Sequence, residues 1–250
     1  MKYLSWVINS IISQSGLVLT RKVNVIPSER LKKTRESLLK ILEIDFVIDI
    51  GANEGQWATS ILKSGFSGSI LSFEPESRAF SLLKTNSSKA SNWEVQNLAI
   101  SDKEGMRKLN VASNDALSSS FFELLPDHKT AAPHAFFTHT ELVPTRLLSS
   151  CMAEIKGSRI YLKLDTQGTE HLILFSMSNE DFCRIKVLEL EASIVGTYEG
   201  GLLVEEIIAF CRLRGFRLYR IENALARSGF GQQVQVDLIF IREEDSNLTL

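Results

Sequence analysis

Three cysteines in 250 residues, Cys151, Cys183 and Cys211, are too few, too scattered and odd in number for a disulfide framework. They lie in apolar-rich stretches and read as reduced, buried thiols, which points to a cytoplasmic setting. Neither Cys-x-x-Cys nor His-Glu-x-x-His occurs, so the sequence gives a zinc site no support, and nothing in it requires a magnesium ion, although Asp165 and Glu191 could converge on one. No Gly-Lys-Ser/Thr follows a glycine loop, which excludes a P-loop nucleotidase. An excess of charge is lacking as well. Lys plus Arg number 28 against 30 Asp plus Glu, a net charge of −2, and no global positive field draws in nucleic acid or an anionic membrane. There is no hydrophobic run of spanning length either, because Asn9, Ser10, Ser13, Gln14, Ser15 and Gly16 interrupt the apolar start of the chain. Residues 1–44 therefore read as a helical extension rather than a transmembrane segment or a cleaved signal, with Trp6, Ile8, Ile11 and Ile12 leaving peripheral membrane contact open.

What is present is an alternation of strands and helices. Apolar positions at helical spacing predict a helix over 28–42, and the β-branched run ending at Gly51 predicts a first strand over 46–50, buried on both faces. Helices over 54–64 and 77–88 flank a second strand over 69–73, and a third strand is expected over 93–99 with a shorter one near 108–111. Residues 113–138 show no clean period and are long for a simple connection, which marks them as a candidate substrate lid. Strands over 160–164 and 186–191 alternate with helices over 169–177 and 202–213. Two last strands, 216–221 and 234–241, are joined by a turn and should pair antiparallel. The expectation is one Rossmann-like α/β domain over 45–245, with a mostly parallel sheet, one antiparallel strand and helices on both faces.

In such a sheet the first strand-to-helix loop lines the ligand crevice, and here it is Asp49 to Gly55. Gly51 permits the tight turn, Gly55 lets a cofactor and the sheet approach the helix start, and Glu74 ends the second strand where a carboxylate can bond two ribose hydroxyls. A pyrophosphate requires a glycine at the middle position, which Asn53 occupies. Adenosine without pyrophosphate is the ligand this pattern suits, and S-adenosylmethionine is such a ligand.

The run Val47 to Gly55, then Phe73-Glu74-Pro75, Asn97 to Asp102 with Gly105, the serines Ser118 to Ser120, and Lys163-Leu164-Asp165-Thr166-Gln167-Gly168-Thr169-Glu170 resemble the FkbM-type methyltransferases, a family with the class I S-adenosylmethionine-dependent fold. The resemblance runs from about Phe46 to the C-terminal strand. It implies a seven-stranded sheet with the last hairpin inserted, and O-methylation of hydroxyls, often on sugars of glycolipids, polysaccharides or natural products. It implies cofactor contacts at Asp49, Gly51, Asn53, Gly55 and Glu74, with Ser101 and Asp102 near the adenine.

Methyl transfer to a hydroxyl is an in-line displacement, so alignment and removal of one proton are what the protein must provide. Asp165, at the carboxyl end of its strand, is the leading candidate base, with capping of the next helix as its competing role. Lys163 shares its strand face, and Glu191 is the second candidate catalytic carboxylate. Lys163, Glu170, Ser119 and His134 are candidate acceptor contacts, while Glu189 reads as a paired core charge. The alternative function is a non-catalytic cofactor-binding scaffold in a glycan assembly complex. Nucleic-acid methylation is disfavoured, because Asp165-Thr166-Gln167-Gly168 stands where an Asn/Asp-Pro-Pro-aromatic run is needed.

Overall fold

The computed structural model describes residues 28–227 and 231–247; the apolar extension considered above lies outside them. In chain order the strands are β1 Phe46–Ile50, β2 Ser69–Phe73, β3 Trp93–Gln96, β4 Ala99–Ile100, β5 Gly105–Ala112, β6 Phe137–Arg146, β7 Ile160–Leu164, β8 Ile185–Ser193, β9 Phe216–Asn223 and β10 Gln235–Arg242. Seven of them form one sheet in the order β3-β2-β1-β7-β8-β10-β9. β10 runs antiparallel to β8 and β9, and the other pairs are parallel. The seven-stranded, mostly parallel sheet with one reversed strand is thus as the sequence led us to expect.

Strand alternation divides the core in two. Ile48, Ile50, Leu162, Leu164, Leu188 and Leu190 face one way, against helices Leu148–Glu154, Glu170–Ser176, Asn179–Arg184 and Val204–Leu213. Val47, Tyr161, Val187, Ile239 and Ile241 face the other, against Leu38, Leu39, Ala58, Ile61 and Leu83 from helices Ser28–Ile41, Gln56–Lys63 and Ser77–Ser87. The second face changes character along its strands. Val47 sits beside Tyr161, but two residues on Asp49 sits beside Lys163, and Lys163 beside Glu189. Apolar packing stops there and a polar floor begins, at the carboxyl ends of the strands.

The strand order turns back beside β1: the chain works outward to β3 and returns to β7 on the other side. That reversal opens a crevice between β1 and β7, where ligands of open α/β sheets bind.

Three expectations require correction. The third strand breaks after Gln96 and resumes as the two-residue β4, which belongs to a separate three-stranded sheet in the order β4-β6-β5. The 113–138 segment is not wholly irregular, since it holds helix Pro126–Ala131 and the start of β6. Of the three thiols only Cys151 and Cys211 are buried, and Cys183 is exposed. No helix among the described residues is long and apolar enough to cross a membrane.

Candidate active site

Three left-handed residues in five, Gly51, Asn53 and Gly55, carry the chain from β1 into helix Gln56–Lys63. The N–H groups of Gly51 and Ala52 both donate to the Phe73 carbonyl at 3.0 Å, and the Ile50 carbonyl accepts from the Asp165 N–H at 3.0 Å. The loop is therefore stitched to β2 on one side and β7 on the other. Asn53 tolerates its φ of 48° as few non-glycine residues do. Its N–H donates to Glu74 Oε2 at 2.7 Å and its side-chain amide donates to the Asp115 carbonyl at 2.9 Å. Gly55 serves a purpose other than ligand approach: a Cβ there would lie 2.6 Å from the Trp93 ring and 2.8 Å from Leu83, so its bare side faces the core.

Glu74 is buried at the end of β2, and its other oxygen accepts from the Glu76 N–H at 2.9 Å. Burial pushes its carboxyl up to about 7 against the pull of those backbone donors. Glu74, Asn53 and Gly51 close one end of a cleft of about 640 Å³ whose walls include Leu98, Ile100, Leu109 and Phe121. Ser119 lines it as well, with its hydroxyl accepting from the Ala112 N–H at 3.0 Å. Ser101 and Asp102 follow directly on the wall residue Ile100 and gather around Arg107, whose guanidinium donates to Ser101 Oγ at 3.1 Å, lies 3.6 Å from Asp102 and stacks 4.3 Å from the Phe121 ring centre.

A second cleft, of about 810 Å³, shares Gly51, Asn53, Leu117 and Asp165 with the first and continues over Lys163, Glu191, Asp237 and Trp57. Leu117, 55 % exposed, lies where the two meet. Asp165 is held at both oxygens, by Gln167 Nε2 at 2.8 Å and Lys163 Nζ at 3.3 Å, and none of these bonds caps a helix. Lys163 also lies 3.5 Å from Asp49. Burial alone would lower the Lys163 ammonium, but Asp165, Asp49 and Glu189 outweigh it and hold the group raised and charged. Asp49 is fully buried and lines neither cleft; it accepts from the Ser72 hydroxyl at 3.2 Å, and burial pushes it up despite Lys163. Glu191 accepts from Gln235 at 2.5 Å and Gln167 at 3.2 Å, and burial beside Asp165, Glu170 and Asp237 raises it well above the carboxylate range. Glu189 is a paired core charge, bonded by Arg35 at 2.5–3.1 Å and by the Tyr161 hydroxyl.

Two of the candidate acceptor contacts, Glu170 and His134, lie off both clefts. Glu170 accepts from the N–H groups of Thr166 at 2.7 Å and Gly168 at 3.1 Å, tying its own loop. His134 is exposed, and its backbone carbonyl accepts from Ser113 at 2.7 Å. Among the described residues no group of three His, Cys, Asp or Glu side chains is arranged to hold a metal ion.

The sequence matches the family model for the methyltransferase FkbM domain over residues 49–218, from Asp49 in β1 to Leu218 in β9. The chain belongs to the FkbM methyltransferase family. By family it is an S-adenosylmethionine-dependent methyltransferase. Solved structures similar to it include methyltransferase FkbM from Methylobacillus flagellatus KT, 12 % identical, covering 78 % of this chain and 44 % of that one at a TM-score of 0.45. Others are precorrin-6y C5,15-methyltransferase from Geobacter metallireducens GS-15, 11 % identical (89 % and 93 % covered, TM-score 0.44), and an rRNA methylase from Streptococcus thermophilus, 10 % identical (90 % and 98 %, TM-score 0.45). No curated protein matches the sequence significantly.

Sequence reading missed several residues of this FkbM-family site. Asp237 carried a signal, a lone acid inside the apolar run Val236 to Ile241. Arg35, Trp57 and Tyr198 carried none, since each reaches the site from an element whose own pattern is ordinary. The buried acids have a measurable consequence. Burial pushes Glu170 up to about 7 from 4.5, so the folded chain keeps a proton that the unfolded chain releases. Between about pH 4.5 and 7 this group lowers stability as pH rises, by up to about 1.4 kcal/mol per pH unit. Glu170→Gln is expected to flatten the pH dependence of the thermal midpoint over that window, and an unchanged slope would refute the assignment.

Proposed function

We propose that residues 45–245 form an O-methyltransferase domain that binds S-adenosylmethionine in the first cleft and presents an acceptor hydroxyl, most simply of a sugar in a glycan, glycolipid or natural product, from the second. The observation that carries this reading is the junction of the two clefts at Gly51, Asn53, Leu117 and the Asp165 carboxylate. The residues fit the donor. Glu74 offers a buried carboxylate to a ribose diol, Leu98, Ile100, Leu109 and Phe121 offer apolar walls to an adenine, and among the described residues no Lys or Arg lines this cleft to pair with a phosphate. Asn53 and Gly51 shape the loop, Gly55 ends it, and Ser101 and Asp102 brace Arg107 against the adenine wall. Asp49 acts from behind by anchoring Lys163.

When bound, the donor supplies a methyl carbon whose bond to sulfur breaks, leaving its electron pair on sulfur, as a bond forms to the acceptor oxygen. Asp165 takes the hydroxyl proton. Lys163, charged and held between two carboxylates, keeps Asp165 oriented, and Glu191 and Asp237 offer acceptors for the other hydroxyls of a polyol. Leu117, from the 113–138 segment, lines both clefts, which supports a role for that segment at the acceptor, whereas Ser119 lines the first cleft alone.

Calorimetry with S-adenosylmethionine tests the first half. The intact chain should bind, and Glu74→Ala should weaken binding roughly 10- to 100-fold through loss of charge-assisted hydrogen bonds. No binding by the intact chain sinks the proposal. Binding without release of S-adenosylhomocysteine in the presence of any glycan acceptor would favour the scaffold reading instead.

A further inference from the structure

One side chain touches two carboxylates of the acceptor cleft, Asp165 and Glu191. Gln167 stands in the left-handed region at φ 57°, an uncommon place for a residue of its kind, and Ser120 fixes its backbone by donating to its carbonyl at 2.7 Å. Its side-chain amide donates to Asp165 Oδ1 at 2.8 Å and to Glu191 Oε2 at 3.2 Å. An amide has one accepting and one donating end, and its orientation here is imposed from outside. The Tyr198 hydroxyl donates to Gln167 Oε1 at 2.5 Å, which leaves the amide hydrogens pointing at the two carboxylates.

Tyr198 is built to do this. It is buried, its ring meets the His128 ring edge-on at 5.2 Å, and its hydroxyl lies 3.3 Å from His128 Nε2. Gly168, next to Gln167, makes room: a Cβ there would lie 2.7 Å from the Tyr198 side chain. The backbone on either side of Tyr198 is tied to Glu123–Leu125, with the Leu125 N–H donating to the Thr197 carbonyl at 3.0 Å and the Glu199 N–H to the Glu123 carbonyl at 2.9 Å. The hydroxyl is kept protonated by burial.

We propose that Gln167, oriented by Tyr198, is the positioning residue that holds the Asp165 carboxylate aimed at the junction of the two clefts, so that Asp165 rather than Glu191 receives the acceptor proton. This rests on the function proposed above. The two carboxylates share one amide, but their other partners differ. Asp165 is bonded by the Lys163 ammonium at 3.3 Å, whereas Glu191 is bonded by the neutral Gln235 at 2.5 Å. Without the Gln167 amide, Asp165 keeps a single partner and is free to turn from the junction.

The test is steady-state kinetics of the purified full chain, read as S-adenosylhomocysteine release with methyl glycosides as acceptors. Tyr198→Phe and Gln167→Ala should each lower kcat roughly 10-fold while KM for S-adenosylmethionine changes little, because the aim of Asp165 is lost and the first cleft is not. Gln167→Glu, which replaces a double donor by another carboxylate, should lower kcat further. Gln167→Ala keeps the question open to refutation if Tyr198→Phe fails to fold. An unchanged kcat in the folded Gln167 variants overturns the proposal, whatever happens to their thermal midpoints. Calorimetry with S-adenosylmethionine separates the two levels: lack of binding or of any turnover by the unaltered chain removes the proposed function, while an unchanged kcat in the Gln167 variants of a chain that binds and turns over removes only the positioning role.

Discussion

Gly51→Ala is expected to lower the thermal midpoint by roughly 10 °C, or to prevent folding, and so to abolish cofactor binding with it. A Cβ on Gly51 would lie 1.8 Å from the Asp165 carbonyl oxygen and 2.8 Å from its carbon, and both are backbone atoms. They cannot swing aside, because the Asp165 N–H is bonded to the Ile50 carbonyl and the adjacent strands β1 and β7 are in register from end to end. The φ of 75° adds its own strain for any residue with a side chain. Together a clash and a disfavoured backbone should cost about 4–5 kcal/mol. Gly65 separates the two causes. It has a φ of 92°, but a Cβ there would meet nothing within 4 Å, so Gly65→Ala should cost only about 1–2 kcal/mol. Equal midpoints for the two variants would show that the close approach of β1 and β7 does not matter.

This glycine also illustrates what a sequence reveals. The expectation of a tight turn was correct, but the reason Gly51 tolerates no substitute lies in a backbone atom from a strand far along the chain. Gly55 is similar: its place in the loop suggested a ligand, while the structure turns its bare side toward Trp93 and Leu83. Strands buried on both faces announce themselves by composition, which is why β1, β2 and β7 were legible to the residue. β6 was not. Its only buried side chains are Val143 and Thr145, and Pro144 argues against a strand by the ordinary rule. Helices Leu148–Glu154 and Asn179–Arg184 run to seven and six residues, too short for a helical period to show.

The site divides along the same line. Glu74 and Asp165 could be found because each ends a recognisable strand. The pairing of Asp49 with Lys163 depends on the register between β1 and β7, and that of Gln167 with Tyr198 on the path of the segment after β8. Neither leaves a local pattern. Asp49, which opens the loop, is the buried anchor of a cation whose other partner is Asp165.

Asp165→Asn should therefore separate chemistry from binding. If Asp165 accepts the acceptor proton, its amide variant should lose at least about 100-fold in kcat, the lower range for removal of a general base. Affinity for S-adenosylmethionine should change little, since the first cleft keeps Glu74, the Gly51–Gly55 loop and its apolar wall. Stability should fall modestly, because the buried Lys163 ammonium loses the nearer of its two carboxylate partners; removal of a like charge beside Glu191 offsets part of this, and Asp165 caps no helix, so no backbone donor is orphaned. Glu191→Gln supplies the comparison. Burial beside Asp165, Glu170 and Asp237 raises Glu191 well above the carboxylate range, so its amide should retain most of the activity. Screening methyl glycosides for acceptor-dependent release of S-adenosylhomocysteine supplies the assay. Full activity in Asp165→Asn would mean that alignment of oxygen, methyl and sulfur is enough and that the proton leaves to water. Loss in Glu191→Gln equal to that in Asp165→Asn would mean that the pair acts as one unit, with the proton shared between the two carboxylates.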